Sequence, residues 1–98
     1  MYKALGNLSL DLLRAFEAAA RHRSFTAAAM ELGTTQPAVS QQIKRLEEQL
    51  AVRLFDRIYR GIELTDAGML LFEHVQAGLQ SINTGLSTIT QQDQHEVL

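Results

Sequence analysis

The sequence contains no cysteine, and this absence excludes several classes of protein at once. Without thiols the chain cannot form a disulfide framework, carry out thiol chemistry or build a cysteine-based zinc finger. The histidines, His22, His74 and His95, lie too far apart in the sequence to indicate a metal site. We therefore expect no bound metal, and a chain without disulfides suits a reducing cytoplasm.

Long apolar runs and the usual catalytic motifs are also absent. No stretch approaches the roughly 18 apolar residues of a membrane span, and the N-terminus lacks the charged start and apolar core of a signal peptide. There is no glycine-rich phosphate loop, no nucleophile elbow and no pair of carboxylates in an apolar setting. The sequence thus predicts a cytoplasmic protein that is not an enzyme and has no membrane partner.

Charge is scarce and unevenly distributed. The 98 residues include 46% apolar residues, enough for one small core, and carry a formal net charge of −2. All nine Lys and Arg lie in residues 1–66 with eight of the eleven acids, so this part is +1 and the remainder −3. The total argues weakly against a nucleic-acid partner, but the distribution of charge matters more than its sum.

Apolar spacing predicts three helices in the first fifty residues. Ser9 can cap a helix from residue 10 to about residue 21, with the apolar stripe Leu10, Leu13, Phe16 and Ala20. A short second helix is expected from the stripe Phe25, Ala28, Ala29 and Leu32. Gly33 follows where a helix end favours a residue that tolerates positive φ. The short connections indicate a compact three-helix unit.

The third helix, over residues 35–50, has two contrasting faces. Thr35 can cap it, and Pro37 lies in its first turn, where a missing N–H costs least. Its core stripe is Val39, Ile43, Leu46 and Leu50. The opposite face carries Pro37, Gln41, Lys44 and Glu48, flanked by Ala38, Ser40 and Arg45. The N-terminal half of that face is compact and hydrogen-bonding, as expected of a helix that enters a DNA major groove.

A small β-hairpin is predicted next, over residues 55–64, because two short apolar runs flank Tyr59-Arg60-Gly61. We call this hairpin the wing. An ordinary loop around Gly61 is the alternative. The wing is favoured because it would place Arg57 at its base and Arg60 at its tip, where DNA phosphates would lie.

The last helix begins after a predicted cap at Thr65 and carries a heptad seam. The seam comprises Phe72, Val75, Leu79, Ile82, Leu86 and Ile89. We expect these residues to form a homodimer interface, whereas the alternative is that the part beyond Leu79 folds back onto the chain's own core. Gly78 and Gly85 each lower helicity by roughly 1 kcal/mol relative to alanine, so the helix should depend on association.

The predicted fold is therefore mostly α, a winged helix-turn-helix followed by a long dimerisation helix. A DNA-binding domain is expected over residues 1–65, a linker and dimerisation helix over residues 66–91, and a frayed tail over residues 92–98 that resembles a linker into an absent part of the protein.

Motifs in a fixed order support this organisation. They are Leu13-x-x-Phe16, Ser24-Phe-Thr-x-Ala-Ala, Leu32, Gln36-Pro-Ala-Val-Ser-x-x-Ile, Leu46-Glu, Leu50, Leu54-Phe-x-Arg57 and Leu64-Thr-x-Ala-Gly68. With them the chain resembles, over about residues 8 to 75, the N-terminal domain of LysR-type transcriptional regulators of bacteria. The segment from Leu13 to His22 is similar to a branch that includes the glycine-cleavage activator and a β-lactamase gene regulator. Ala51 stands where the family often has glycine, which puts the sharpness of the end of the third helix in question but not the family assignment.

The resemblance implies roles for individual residues. Base edges would be contacted by Gln36, Pro37, Ser40 and Gln41, and phosphates or the minor groove by Thr26, Thr35, Lys44, Arg57 and Arg60. Many family members have arginine in place of Gln41, so contact with guanine is less expected here. The alternatives are helix solvation for the polar residues, helix initiation for Pro37, capping for the threonines and surface salt bridges for the basic residues. Arg45 and Arg53 are ambiguous because nearby acids can pair with them.

The resemblance also implies the partners. Two copies would pair through antiparallel linker helices and bind an interrupted inverted repeat in double-stranded DNA in the bacterial cytoplasm, at the nucleoid. Higher oligomers stay open for the full-length protein. No cofactor is expected in these residues, since a small-molecule effector would bind the absent C-terminal domain. A protein-interaction module without DNA binding is the alternative, supported only by the near-neutral charge.

Overall fold

The computed structural model describes residues 2–97, and side chains as far as residue 91. The elements are α1 (Leu10–His22), α2 (Phe25–Leu32), α3 (Gln36–Leu50), β1 (Phe55–Ile58), β2 (Gly61–Leu64) and α4 (Asp66–Val97). The two strands form one antiparallel sheet, so the predicted winged helix-turn-helix with a long final helix is confirmed.

A side-chain hydroxyl caps each helix of the described chain, α1 to α4. The capping residues are Ser9, Ser24, Thr35 and Thr65, and each accepts a hydrogen bond from a backbone N–H two or three residues later, at 3.0–3.3 Å. Such a bond satisfies one of the donors that a helix start leaves without a partner. The predicted caps at Ser9, Thr35 and Thr65 are confirmed, and the short loops between helices follow from these local signals.

The core lies where the first three helices meet the wing. Phe16, Val39, Leu46 and Leu54 are its largest fully buried side chains. The ring of Phe55 in β1 lies 5.5 Å from the ring of Phe16, measured between centroids, so aromatic packing joins the wing to the helical unit.

The buried stripe of α1 differs from the predicted one. Leu12 is buried, whereas Leu10 is half exposed and Leu13 is only partly buried. Leu10 and Leu13 instead lie beside α4, where they line an apolar groove of about 470 Å³ with Leu79 and other residues. The spacing of apolar residues in α1 could not predict which of them face the core. The reason is that α1 packs on α2 and α3 along one side and on α4 along another.

An exposed ion-pair cluster joins α1 to α2. The guanidinium of Arg21 donates to Glu17 at 2.8 Å and to Glu31 at 2.7 Å, and the His22 ring lies 2.6 Å from the Glu31 carboxylate. The hydrogen bond from Arg21, followed by that from His22, lowers the pKa of Glu31 to about 2. Because these groups face solvent, the pairs are screened and stabilise the contact only modestly.

The end of α3 is sharp even though Ala51 replaces a glycine. Ala51 adopts left-handed backbone angles, with φ of 55°. The N–H of Ala51 donates to the carbonyl of Glu48, and the N–H of Val52 donates to that of Glu47, which is the Schellman arrangement. The question about this helix end is therefore answered: the helix ends sharply, because Ala51 adopts the left-handed conformation that glycine usually supplies at such a turn.

The wing occupies the predicted residues 55–64, with Phe55 opposite Leu64 and Ile58 opposite Gly61. Gly61 has a φ of 142°, and a Cβ built there would lie 2.7 Å from the carbonyl oxygen of Arg23. Glycine is thus required for the wing to approach the turn after α1. The alternative of an ordinary loop glycine is excluded.

The heptad seam of α4 is divided between two environments. Val75 is buried in the chain's own core, and Phe72 and Leu79 pack partly against that core. The remaining members, Ile82, Leu86 and Ile89, are 51%, 61% and 59% exposed. In the single chain Val75 is therefore buried, and Phe72 and Leu79 are only partly accessible, while the assignment of all six residues to a dimer interface stays a prediction. The division arises because α4 first lies against α1 and then extends beyond the domain.

The helix also continues past its predicted end. The backbone of α4 is helical to Val97, although a helix to residue 91 and a frayed tail over residues 92–98 were predicted. The residues after 91 include neither glycine nor proline, so backbone hydrogen bonding continues where the apolar seam has stopped. The end of the predicted tail, Leu98, lies outside the described residues.

Candidate nucleic-acid interface

The exposed start of α3 forms the centre of the candidate interface. Gln36, Pro37 and Gln41 are exposed, and Ser40 is half-buried beside them. The core stripe Val39, Ile43 and Leu46 is buried on the opposite side, which holds the polar face outward. Amides and a hydroxyl at a helix N-terminus can donate to and accept from base edges or phosphates.

A cleft of about 660 Å³ separates α3 from the wing. Ser40, Lys44 and Glu47 line it from the helix, and Arg53, Asp56 and Arg57 line it from the segment that enters the wing. The structure thus brings together Ser40, Lys44 and Arg57, three of the residues chosen from the sequence. Their side chains combine hydrogen-bonding and cationic groups on one surface.

The basic side chains around this cleft differ in their availability. Arg53 donates to Asp56 at 2.6 Å, so the ambiguity about Arg53 is resolved in favour of an ion pair. Among the described residues, no ion pair involves Lys44, Arg57 or Arg60. These three cations therefore face solvent with their charges uncompensated by a contacting carboxylate.

The tip of the wing presents two large side chains together. The guanidinium carbon of Arg60 lies 5.3 Å from the ring centroid of Tyr59, which is a cation–π distance, and Tyr59 is 89% exposed. Tyr59 was not selected from the sequence. An aromatic residue within a two-residue turn, with no place in either strand's core face, is the signal that could have identified it.

The two threonines have different roles in the structure. The Thr35 hydroxyl accepts from the N–H of Ala38 at 3.3 Å, so the alternative of capping holds for Thr35. Thr26 is exposed in the first turn of α2, where Ser24 rather than Thr26 caps the helix. Thr26 therefore keeps a free surface position at a helix N-terminus.

Glu47 is a second residue that was not selected, since the sequence shows it only as one of the acids near Arg45 and Arg53. Its carboxylate accepts hydrogen bonds from the backbone N–H groups of Leu54 at 2.8 Å and Phe55 at 3.3 Å. The signal in the sequence is weak, because an acid next to the buried Leu46 looks like an ordinary surface residue.

The other candidate sites have no counterpart at this surface. His22 pairs with Glu31, and the side chain of His95 lies outside the described residues. Among residues 2–91, whose side chains the structure describes, there is no cluster of three or more His, Asp or Glu that could hold a metal ion. No helix in the same range is both long and apolar enough to span a membrane.

Comparison with known proteins identifies the family. The profile of the bacterial regulatory helix-turn-helix proteins of the lysR family matches residues 10–69, from the start of α1 into α4. The chain belongs to the LysR family. A LysR-type relative, the HTH-type transcriptional activator AmpR of Providencia stuartii, is 50% identical over 91 residues, which are 93% of this chain and 31% of AmpR.

A second LysR-type relative supports the predicted similarity to a β-lactamase gene regulator. The carbapenem-hydrolyzing beta-lactamase transcriptional activator of Enterobacter cloacae is 45% identical, with coverage of 93% of this chain and 31% of the relative. The chain thus spans less than a third of the length of these curated relatives.

Solved structures of LysR-type DNA-binding domains share the fold. The BenM DNA-binding domain, crystallised with benA site 1 DNA, superposes with a TM-score of 0.78 at 32% identity, covering 86% of this chain and 94% of that one. The CbnR DNA-binding domain in complex with DNA gives a TM-score of 0.73 at 35% identity, covering 80% and 90%.

Proposed function

We propose that this chain is the DNA-binding module of a bacterial LysR-type transcriptional regulator and that it binds a specific sequence in double-stranded DNA. The observation that carries the proposal is the exposed, hydrogen-bonding start of α3 beside a wing whose basic side chains have no carboxylate partner. The DNA complexes of the BenM and CbnR domains support it, because both share this fold. The module itself has no catalytic role.

The side chains divide into two groups by chemistry. Gln36, Pro37, Ser40 and Gln41 contact base edges in the major groove, where an amide can bind adenine and the proline ring can contact a thymine methyl. Lys44, Arg57, Arg60, Thr26 and Thr35 contact phosphates or the minor groove, which positions the helix without specifying sequence. The Thr35 hydroxyl already caps α3, so the backbone N–H of Thr35 is the donor more available to a phosphate.

The module acts as a homodimer on an interrupted inverted repeat. The observations that support pairing are the exposed side chains of Ile82, Leu86 and Ile89 and the apolar groove at the base of α4. Two copies related by a twofold axis place two α3 helices in successive major grooves of a palindromic site.

The whole protein is a larger regulator in the bacterial cytoplasm, bound at the nucleoid. Relatives that are about three times as long leave room for an effector domain, and we propose that a small-molecule effector binds there rather than in the DNA-binding module.

The test is selection of bound DNA from a random pool, followed by affinity measurements at several salt concentrations. Gln41→Ala should change the preference at one base position by about 1–3 kcal/mol and leave non-specific binding nearly intact, because Gln41 is exposed and far from the core stripe. Gln49→Ala, which removes the same exposed amide from the last turn of α3, is the matched control.

Two results would contradict the proposal. Uniform weakening of Gln41→Ala on all sequences would remove its role at base edges. Failure of the parent chain to bind any DNA at low salt would favour the protein-interaction module, since electrostatic attraction to phosphates supplies salt-dependent binding to any true DNA-binding domain.

A further inference from the structure

We infer that Glu47 is a positioning residue, which sets the distance and angle between α3 and the wing and thereby makes both available to the same DNA. This inference rests on the proposed DNA-binding function. Glu47 is half-buried in the last full turn of α3 and lies at the inner wall of the cleft between α3 and the wing.

The first observation is that Glu47 contacts both ends of the connection from α3 to β1. Its backbone carbonyl accepts from the N–H of Val52 at 3.2 Å, which closes the helix end. Its carboxylate accepts from the N–H groups of Leu54 at 2.8 Å and Phe55 at 3.3 Å, where the wing starts. One residue of α3 therefore fixes where β1 begins.

The second observation is that the same segment is held from its other side by the start of α4. The Thr65 hydroxyl donates to the carbonyl of Arg53 at 2.7 Å, and the Thr65 N–H donates to that of Leu54 at 3.0 Å. Gly68 lies against the Leu54 carbonyl so closely that a Cβ there would overlap it. Since α4 and the core hold one side, the length of the Glu47 side chain decides where the segment lies relative to α3.

The third observation concerns charge. Glu47 places a carboxylate in a cleft that also contains Lys44 and Arg57, where it opposes the approach of phosphates. A role in direct DNA contact would therefore be unfavourable, whereas two backbone N–H donors compensate this charge locally. If the charge of Glu47 dominated, removing it would favour DNA binding. If the length of its side chain dominated, shortening it would weaken DNA binding.

Two variants separate the effect of side-chain length from the effect of charge. Glu47→Gln removes the charge but keeps an oxygen that can accept from Leu54 and Phe55, so its affinity for the selected DNA should lie within about threefold of the parent. Glu47→Asp keeps the charge but shortens the side chain by one methylene, so its affinity should fall by about tenfold. Glu48→Ala, an exposed neighbour that loses the same charge as Glu47→Gln, is the control for electrostatics.

A double-mutant cycle distinguishes positioning from general loss of stability. If Glu47→Asp displaces the wing, the penalty of Arg60→Ala should become smaller in the Glu47→Asp background, whereas the penalty of Gln41→Ala should stay the same. A variant that is merely less stable would leave both penalties unchanged. All affinities are measured with the full chain at a temperature where circular dichroism shows each variant folded.

Amide hydrogen exchange gives a readout that does not need DNA. In the parent the amides of Leu54 and Phe55 should exchange slowly, and Glu47→Asp should speed both more than it speeds amides in α1. The inference is overturned if Glu47→Asp binds DNA as tightly as the parent, or if Glu47→Gln is the weaker variant. A parent chain that binds no DNA would instead overturn the proposed function, while the exchange measurement would still report whether Glu47 holds the segment.

Discussion

At the scale of single residues, the candidate interface depends on which polar side chains the fold leaves free. Arg53 and Asp56 are paired with each other, whereas Lys44, Arg57 and Arg60 have no carboxylate partner among the described residues. The stacking of Arg60 on the ring of Tyr59 holds this guanidinium at the tip of the wing. A cation that is already oriented loses less side-chain entropy when it meets a phosphate or enters a minor groove.

Arg60→Ala tests whether this guanidinium contacts DNA. This change should weaken binding to every DNA sequence and reduce the salt dependence by about one counterion, because one phosphate contact is lost. If Arg60 inserts into a narrow minor groove, the loss should be greatest on A/T-rich flanks. The measurement is affinity as a function of salt on flanks of different composition, with Arg14→Ala on α1 as the matched control. Equal affinity of Arg60→Ala and the parent at both low and high salt would contradict either role.

At the scale of elements, the end of α3 is held by hydrogen bonds that outweigh a local strain. Ala51 adopts a φ of 55°, which places its Cβ close to a carbonyl oxygen and costs roughly 1–2 kcal/mol for a residue other than glycine. The Schellman bonds and the carboxylate of Glu47 compensate this cost. The sequence does not reveal such strain, since alanine is otherwise the residue that most favours helix.

Ala51→Gly should therefore stabilise the domain. Relief of the left-handed strain exceeds the extra entropy that glycine has in the unfolded chain, so the free energy of unfolding should rise by about 0.5–1 kcal/mol. Urea denaturation followed by circular dichroism measures this change. Ala77→Gly, at an exposed position inside α4, should lower the free energy of unfolding by about 1 kcal/mol and serves as the opposite control. A destabilised Ala51→Gly variant would mean that the alanine methyl makes a compensating contact.

At the scale of the whole molecule, α4 has two roles. Its first part, through Val75 and Leu79, covers the core of the DNA-binding unit, and its later part carries Ile82, Leu86 and Ile89 outward into solvent. An exposed apolar row next to an apolar groove favours a second copy of the chain as its partner. The helix thus joins the DNA-binding unit to the proposed dimer interface without a flexible connection.

Ile82→Lys should convert the proposed dimer into a folded monomer. A charge placed in a buried apolar seam is costly without a partner, whereas Ile82 lies outside the domain's own core and is not needed for its fold. Affinity for the full inverted repeat should fall strongly while weak affinity for a half-site survives, because two linked half-sites gain from effective concentration. Analytical ultracentrifugation decides the outcome.

Gln80→Lys adds the same charge on another face of α4 and should leave the dimer intact. The proposed dimer interface would be contradicted by a parent chain that sediments as a monomer at tens of micromolar. It would also be contradicted by an Ile82→Lys variant that sediments as a dimer.

Local patterns in the sequence were sufficient to predict where the helices start, three of their four caps and the limits of the wing. These features depend on residues within a few positions of one another: the Ser9 and Thr35 hydroxyls meet nearby N–H groups, and Val39, Ile43 and Leu46 face inward at fixed helical spacing. The exposed face of α3, with Gln41 and its neighbours, follows from the same periodicity. Local geometry is sufficient for such predictions, because no distant element changes them.

Which apolar and charged residues meet across elements depends on how the elements pack, and local patterns do not show it. The spacing of α1 favours Leu10 and Leu13 as core residues, yet the packing of two other helices buries Leu12 instead. One heptad seam contains both Val75, buried in the core, and Ile82, which is exposed. The carboxylate of Glu47 meets two N–H groups that are seven and eight residues away. Each outcome depends on the position of a second element, which the periodicity of one helix cannot specify.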